Sequence, residues 1–393
     1  MKRVYLDYAA TTPVDPEVLA EMLPYFTDTF GNANSMHSFG QAAGAAVDAA
    51  RRKIAALLGV KPTEIYFTSG GTEGDNWALK GCAEAYADRG RHVIVSSIEH
   101  AALIGAAHQL EKRGYTVTFL PVTDKGIVEP EILEKHITDD TSIVSVMLPN
   151  NEIGTIQPVK ELTAFAHRHG ALFHTDAVQA MGAIPVDVKD LGVDLMTFSG
   201  HKFYGPKGIG VLYIRSGVKP EKLIAGGHQE RTMRGGTTNV PAVVGIAKAL
   251  EIALRDLDAN AARIKALRDR FVAGVRERIP YIVYNGDETR RLPGNANFSF
   301  EFLEGESILM RLDLAGVACS SGSACSSGSL DPSHVLLATG LPVEKAHGSI
   351  RFTFGKHTSE EDVDYALDKL TEIIGTLRAM SPLFAEFKDG VRL

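Results

Sequence analysis

The pattern of apolar and polar positions divides the chain into two stretches of different character. Seven short, nearly continuous apolar runs recur in the first: EIYFTS (64–69), HVIVSS (92–97), YTVTFLP (115–121), TSIVSVMLP (141–149), ALFHTDA (171–177), LMTFSG (195–200) and GIGVLYIR (208–215). Amphipathic stretches separate several of them, such as ALIGAAHQLEKRG, which ends on Gly114 as a helix stop. Apolar strands alternating with helices predict a mostly parallel sheet covered on both faces. After Pro241 a long helical pattern runs through VVGIAKALEIALRDLDANAARIKALRDRFVAGVRERI. YIVYNG, NANFSFEFL and SIRFTFG follow as strand-like runs, and EEDVDYALDKLTEIIGTLRAM reads as a final helix. This second part predicts a smaller α+β unit. The expected division is a large domain over 12–255 and a small one made of 1–11 and 256–393.

Composition narrows the functional classes. The chain has 393 residues, 45% of them hydrophobic and 23% charged, enough for a sizeable core. A net charge of -7 argues against a nucleic-acid binder that works by bulk attraction to phosphate. No apolar run approaches the roughly 18 residues of a membrane helix, and MKRVYLDYAATTP lacks the apolar stretch of a signal peptide. The cysteines are Cys82, Cys319 and Cys325, an odd number that suits working thiols in a reducing cytoplasm better than a disulfide scaffold. No CxxC or comparable ligand spacing occurs, so no metal site is expected.

In open α/β sheets ligands bind beyond the carboxyl ends of the strands. Five runs end in polar groups: SGGTEGDN after the first, His100 after HVIVSS, Asn151 in NNEIG, Asp176 with Gln179 in HTDAVQ, and His201 with Lys202 in SGHKFYGPKG. SGGTEGDN can hold a phosphate on free backbone N–H groups at a helix start, or can be an ordinary glycine turn capped by Ser69 or Thr72. A lysine in a partly apolar pocket can form a Schiff base, although most lysines after strands are surface groups. Asp176 ends an apolar run, where a carboxylate needs a partner such as a pyridinium nitrogen; the alternative is a helix cap. Phosphate turn, strand-end Asp176 and strand-end Lys202 together match the needs of pyridoxal 5'-phosphate. Arg351 lies among apolar neighbours in SIRFTFG and calls for a carboxylate, either a ligand's or an internal one. ACSSGSACSSGS carries Cys319 and Cys325 on a loop, about 318–330, whose Gly and Ser content gives it freedom to move. Cys325 sits mid-loop, placed for chemistry; Cys319 reads as strand-end packing and Cys82 as core. His167 and His169 in HRHG read as an exposed helix face.

The segments YLDYAATTPVDP, FTSGGTEGDN, NNEIG, HTDAVQ, FSGHKFYGPKGIG, RGGTTNVP and SSGSACSSGSLDPS occur in one order along nearly the whole chain. In this the chain resembles the cysteine desulfurases of the NifS/IscS type, fold-type I pyridoxal-phosphate enzymes of the class-V aminotransferase family. The resemblance implies conversion of L-cysteine to L-alanine, with sulfur carried as a persulfide on Cys325. It implies that Lys202 holds the cofactor, that His100 stacks on the ring and moves protons, and that Asp176 pairs with the ring nitrogen. Gln179 would bond the phenolic oxygen, with Asn151 beside it and the substrate. Gly71, Thr72, Ser199 and His201 would hold the phosphate, joined by Thr237 from the neighbouring subunit of a homodimer. Arg351 would bind the substrate carboxylate. The Ser-rich SGSAC loop is similar to that of the group that hands sulfur to acceptors such as iron–sulfur scaffolds. Cys319, six residues earlier, raises the question of a second thiol in the relay. Another fold-type I enzyme, such as a selenocysteine lyase or an aminotransferase, would keep Lys202 and Asp176. A non-catalytic sulfur-trafficking scaffold is the rival of another class.

Overall fold

The computed structural model describes residues 2–321 and 332–388. All seven apolar runs form strands of one sheet. In chain order the strands of the molecule are β1 (Val4–Tyr5), β2 (Ile65–Thr68), β3 (His92–Ser96), β4 (Thr116–Leu120), β5 (Thr141–Ser145), β6 (Leu172–Asp176), β7 (Leu195–Ser199), β8 (Gly210–Ile214), β9 (Ile282–Tyr284), β10 (Asn295–Phe300), β11 (Val317–Ala318) and β12 (Ser349–Thr353). The large sheet runs β2-β8-β7-β6-β5-β3-β4. Only β8 opposes its neighbours, because a tight connection returns it along β7 with Ser199 opposite Gly210. The fold is therefore the mostly parallel α/β sheet of fold-type I. Strands β3 and β5 to β8 are buried along their whole length, which explains their unbroken apolar sequence.

Apolar clusters cover both faces of this sheet. One contains Phe173, Phe198 and Ile246; the other contains Trp77, Val95 and Leu212. A separate cluster gathers Leu6, Phe271, Phe298, Phe352 and Leu370 around the antiparallel sheet β12-β10-β9. The N-terminus joins this second group: β1 pairs in parallel with β11, and Asp7 bridges to Thr353. The long helical pattern after Pro241 is two helices, Val240–Arg255 and Leu257–Arg278. The break falls at Asp256, whose carboxylate takes both Arg255 nitrogens at 2.8 and 2.9 Å. Among the described residues no helix is long and apolar enough to cross a membrane.

Two side chains differ from the sequence reading. His167 is not a free surface group: its Nε2 meets Asp194 Oδ2 at 2.8 Å, and Asp194 is fully buried. His169 stacks on Phe165 at 5.3 Å between ring centroids. Neighbouring strands and a helix turn supply partners that a helix-face argument does not see. Cys82 is buried in the core as expected.

A buried ion pair ties the segment before RGGTTNVP to the sheet. Glu230 receives Arg51 Nη1 and Nη2 at 2.8 and 2.7 Å and the Phe67 N–H at 3.0 Å. Removing one partner of a buried pair strands the other charge. Glu230→Ala is expected to lower stability by about 3–5 kcal/mol. Denaturant unfolding measures this, and a loss near zero would mean that water reaches Arg51.

Candidate active site

The polar residues at the carboxyl ends of β2, β3, β5, β6 and β7 converge on one cleft of about 300 Å3. Its lining includes Gly71, Thr72, His100, Asn151, Asp176, Gln179, Ser199, His201, Lys202 and Arg351. All the site residues singled out in the sequence are thus brought together except Cys325 and Thr237. Cys325 lies outside the described residues. Thr237 is exposed and outside the cleft of its own chain.

One end of the cleft is built for an anion. Gly70 sits at φ 157, ψ -177, a region essentially reserved for glycine. The helix Gly71–Ala85 starts immediately afterwards with no side-chain cap, so its first N–H groups are available to a ligand. A Cβ on Gly71 would lie 2.9 Å from Val178 Cγ2, so only glycine brings this backbone so close. Thr72, Ser199, His201 and Lys207 line the same recess. Burial and the charges of Lys202 and Lys207 push His201 down to about 4, leaving it neutral at physiological pH. Lys207, which the sequence reading did not single out, also faces this recess.

Lys202 follows β7 through a single 3-10 turn, Gly200–Lys202. Its Nζ donates to the carbonyls of Ala9 and Ala10, the latter at 2.9 Å. Gln179 Nε2 donates to the same Ala9 carbonyl at 2.9 Å. Asp176, at the end of β6, is 4% exposed and accepts the Val178 N–H at 2.8 Å. Burial raises its pKa, while His100 and Lys202 pull it down. His100 caps the helix Ala101–Glu111, with Nδ1 accepting the Ala102 N–H at 3.2 Å. Asn150 braces the next turn, accepting the Glu152 and Ile153 N–H groups at 2.8 and 2.9 Å, which leaves Asn151 to line the cleft.

Both alternatives for Arg351 leave their mark. Nη2 pairs with Asp7 at 2.9 Å and Nη1 donates to the Asn151 carbonyl at 3.0 Å. Its buried Nε has no hydrogen-bond partner among the described residues. Cys319 follows β11 and packs against the apolar cluster around Phe352, where burial pushes its thiol up. Such a thiol is a poor nucleophile at neutral pH.

Comparison with known proteins agrees with this geometry. The aminotransferase class-V family model matches residues 4–366. A cysteine desulfurase IscS from Dictyoglomus turgidum is 52% identical over 389 residues, covering 99% of each chain. This chain belongs to the cysteine desulfurase family. A solved structure of a NifS-like protein superposes with a TM-score of 0.90 at 41% identity, covering 96% of this chain and 100% of the other. A structure of SspA in complex with cysteine gives a TM-score of 0.80 at 34% identity, over 91% of this chain and 100% of the other. Cysteine desulfurases of this class depend on pyridoxal phosphate, and the residues present suit it. The glycine cradle and uncapped helix would suit a phosphate, the buried Asp176 carboxylate would suit a protonated ring nitrogen, and Lys202 would supply the amine for a Schiff base.

The cradle can be tested directly. Gly71→Val pushes side-chain atoms into the space toward Val178, so cofactor affinity is expected to fall at least about tenfold, a loss of ~1.4 kcal/mol. Equilibrium dialysis checks it, with circular dichroism to confirm the fold. Unchanged affinity would place the phosphate elsewhere.

Proposed function

We propose that this cysteine desulfurase takes sulfur from L-cysteine, releases L-alanine and passes the sulfur from Cys325 to an acceptor protein such as an iron–sulfur scaffold. The observation that carries the reading is the meeting of Lys202, Asp176, the glycine cradle and Arg351 in one cleft of a chain 52% identical to an IscS over its full length. The cysteine held by SspA supports the substrate, as does the Nε of Arg351, which has no hydrogen-bond partner among the described residues. We assign the enzyme to the cytoplasm as a homodimer, with Thr237 reaching the neighbour's phosphate. The two apolar groupings act as a large domain, 12–255, and a small one, 1–11 with 256–393.

Bound pyridoxal phosphate supplies an electron sink for carbanion chemistry at the substrate α-carbon. Everything else falls to the chain. Arg351 orients the substrate carboxylate. Lys202 removes the α-proton and later returns one to the carbon skeleton. Asp176 would hold the ring nitrogen protonated, and His100, at the start of its helix in the same cleft, would carry protons beside the cofactor. The Cys325 thiolate attacks the substrate sulfur: the carbon–sulfur bond breaks, a sulfur–sulfur bond forms, and a proton ends on the β-carbon to give alanine. Cys319, desolvated at the base of the loop, stays outside this exchange.

Lys202→Ala is expected to lower alanine formation from cysteine at least about a thousandfold. Wild-type turnover in that variant would remove Lys202 from the mechanism. Cys325→Ser is expected to abolish the protein persulfide while cysteine still binds, because a serine hydroxyl is too weak a nucleophile for sulfur. Cys319→Ser should keep most of the activity. Mass spectrometry locates the extra sulfur, and finding it mainly on Cys319 would reverse the assignment. Full activity in a monomer, by analytical ultracentrifugation, would contradict the dimeric site.

A further inference from the structure

A second carboxyl group lines the cleft beside Asp176 and has no place in the reaction above. Asp75 stands four residues after Gly71 on the same helix and is 1% exposed. Its Oδ1 is buried without a hydrogen-bond partner among the described residues. Its surroundings come from three directions. Thr197 on β7 hydrogen-bonds to it, Asp176 and His174 face it from β6, and Glu99 faces it from the segment after β3. The nearest nitrogen that could carry charge is His174 Nε2, 3.8 Å away. That ring is fully buried between Ser145 and Thr197, at 2.8 and 3.0 Å, and burial pushes its pKa down to about 3. It is therefore a neutral imidazole. Glu99 brings no cation either: it accepts from Ser96 at 2.5 Å and from the Met147 N–H at 2.7 Å, and burial pushes it up to about 8.

Two buried carboxylates that line the same cleft disfavour each other's ionisation. Asp176 has what an anion needs: the Val178 N–H and the favourable charges of His100 and Lys202. Asp75 has a hydroxyl and an orphaned oxygen. We propose that Asp75 is a positioning residue that holds a proton beside Asp176, so that the pair presents a single negative charge to the cleft. That charge matches one protonated ring nitrogen, and the assignment of this role rests on the cofactor placement given above. A second ionised carboxylate would leave the site with uncompensated charge. Burial, and then the charges of Asp176 and Glu99, raise the Asp75 pKa in keeping with this.

The folded protein then keeps a proton that the unfolded chain releases in the ordinary carboxylate range. Stability falls as pH rises from that range toward the folded pKa. Glu99 and Glu152 add slopes of the same sign, so the measurement is a difference between variants. In Asp75→Asn the position is neutral at every pH and nearly isosteric. The fall in melting temperature with pH is expected to be shallower than in the wild-type holoenzyme. Cofactor affinity should stay within about threefold, well under 1 kcal/mol. The infrared difference spectrum, wild type minus variant near neutral pH, should show the carbonyl band of a protonated carboxylic acid. An ionised-carboxylate band there, or an unchanged stability slope, would overturn the proposal. If the variant does not fold, wild-type holoenzyme with isotopically labelled aspartate gives the same reading: no protonated aspartate band means no proton on Asp75. The band reports the protein's own charge state, whereas Gly71→Val reports where the phosphate sits, so the two readings fail separately.

Discussion

The seating of the helix Gly71–Ala85 on the sheet fixes the rest of the site. A Cβ on Gly74 would stand 2.6 Å from Thr197 Cγ2, and one on Gly71 would meet Val178. Two glycines one turn apart thus let the helix lie directly on the ends of β6 and β7. That contact aims the helix start at the cleft and lays Asp75 against Thr197. It sets the distance between the anion cradle and Lys202, which hangs from β7. Protein interiors give way poorly to added volume, so the spacing is held by packing rather than by any one polar bond.

Much of this was legible in the chain. Strands β3 and β5 to β8 of the large sheet stand out because burial on both faces leaves an unbroken apolar signature, while the edge strands β2 and β4 are only partly buried. Strand-end chemistry then picks out His100, Asn151, Asp176, Gln179, His201 and Lys202 with no family knowledge. Ser199 and Thr237 came only from the resemblance. The two-residue strands β1 and β11 leave no periodic trace, since pairing over so short a length is decided by tertiary contacts. Asp256 ends one helix and starts the next within a single helical pattern, and its carboxylate pairs with Arg255 rather than capping the second helix, so the sequence carries no cap signal there. His167 was read as an exposed helix face and Asp75 was passed over, because each faces a buried carboxylate that the linear sequence keeps far away.

Glu73 joins parts of the site that sequence keeps apart. Its carboxylate accepts the Ser69 N–H at 2.8 Å at the mouth of the cradle and Arg234 Nε at 2.8 Å. Only Gly235 and Gly236 separate Arg234 from Thr237. With Glu230 bound to Arg51, this pins RGGTTNVP to the end of β2 from two sides. Glu230, Arg231 and Thr232 all hold positive φ between these anchors, a strained backbone kept in place by the ion pairs around it.

The N-terminal segment supplies the carbonyls that receive Lys202, yet its own partners come from the far end of the chain. Ala9 N–H is held by Thr353 Oγ1 across 344 residues, and Asp7 meets Arg351 across the same separation. On the ribosome the first strand has nothing to pair with until almost the whole polypeptide has emerged. Contacts of such long sequence separation form late and slowly. The seven-stranded sheet can assemble before them, but Arg351 cannot take up its place until they close. Completion of the cleft is therefore tied to completion of translation, and a truncated chain that has folded its sheet still lacks Arg351 in the cleft wall.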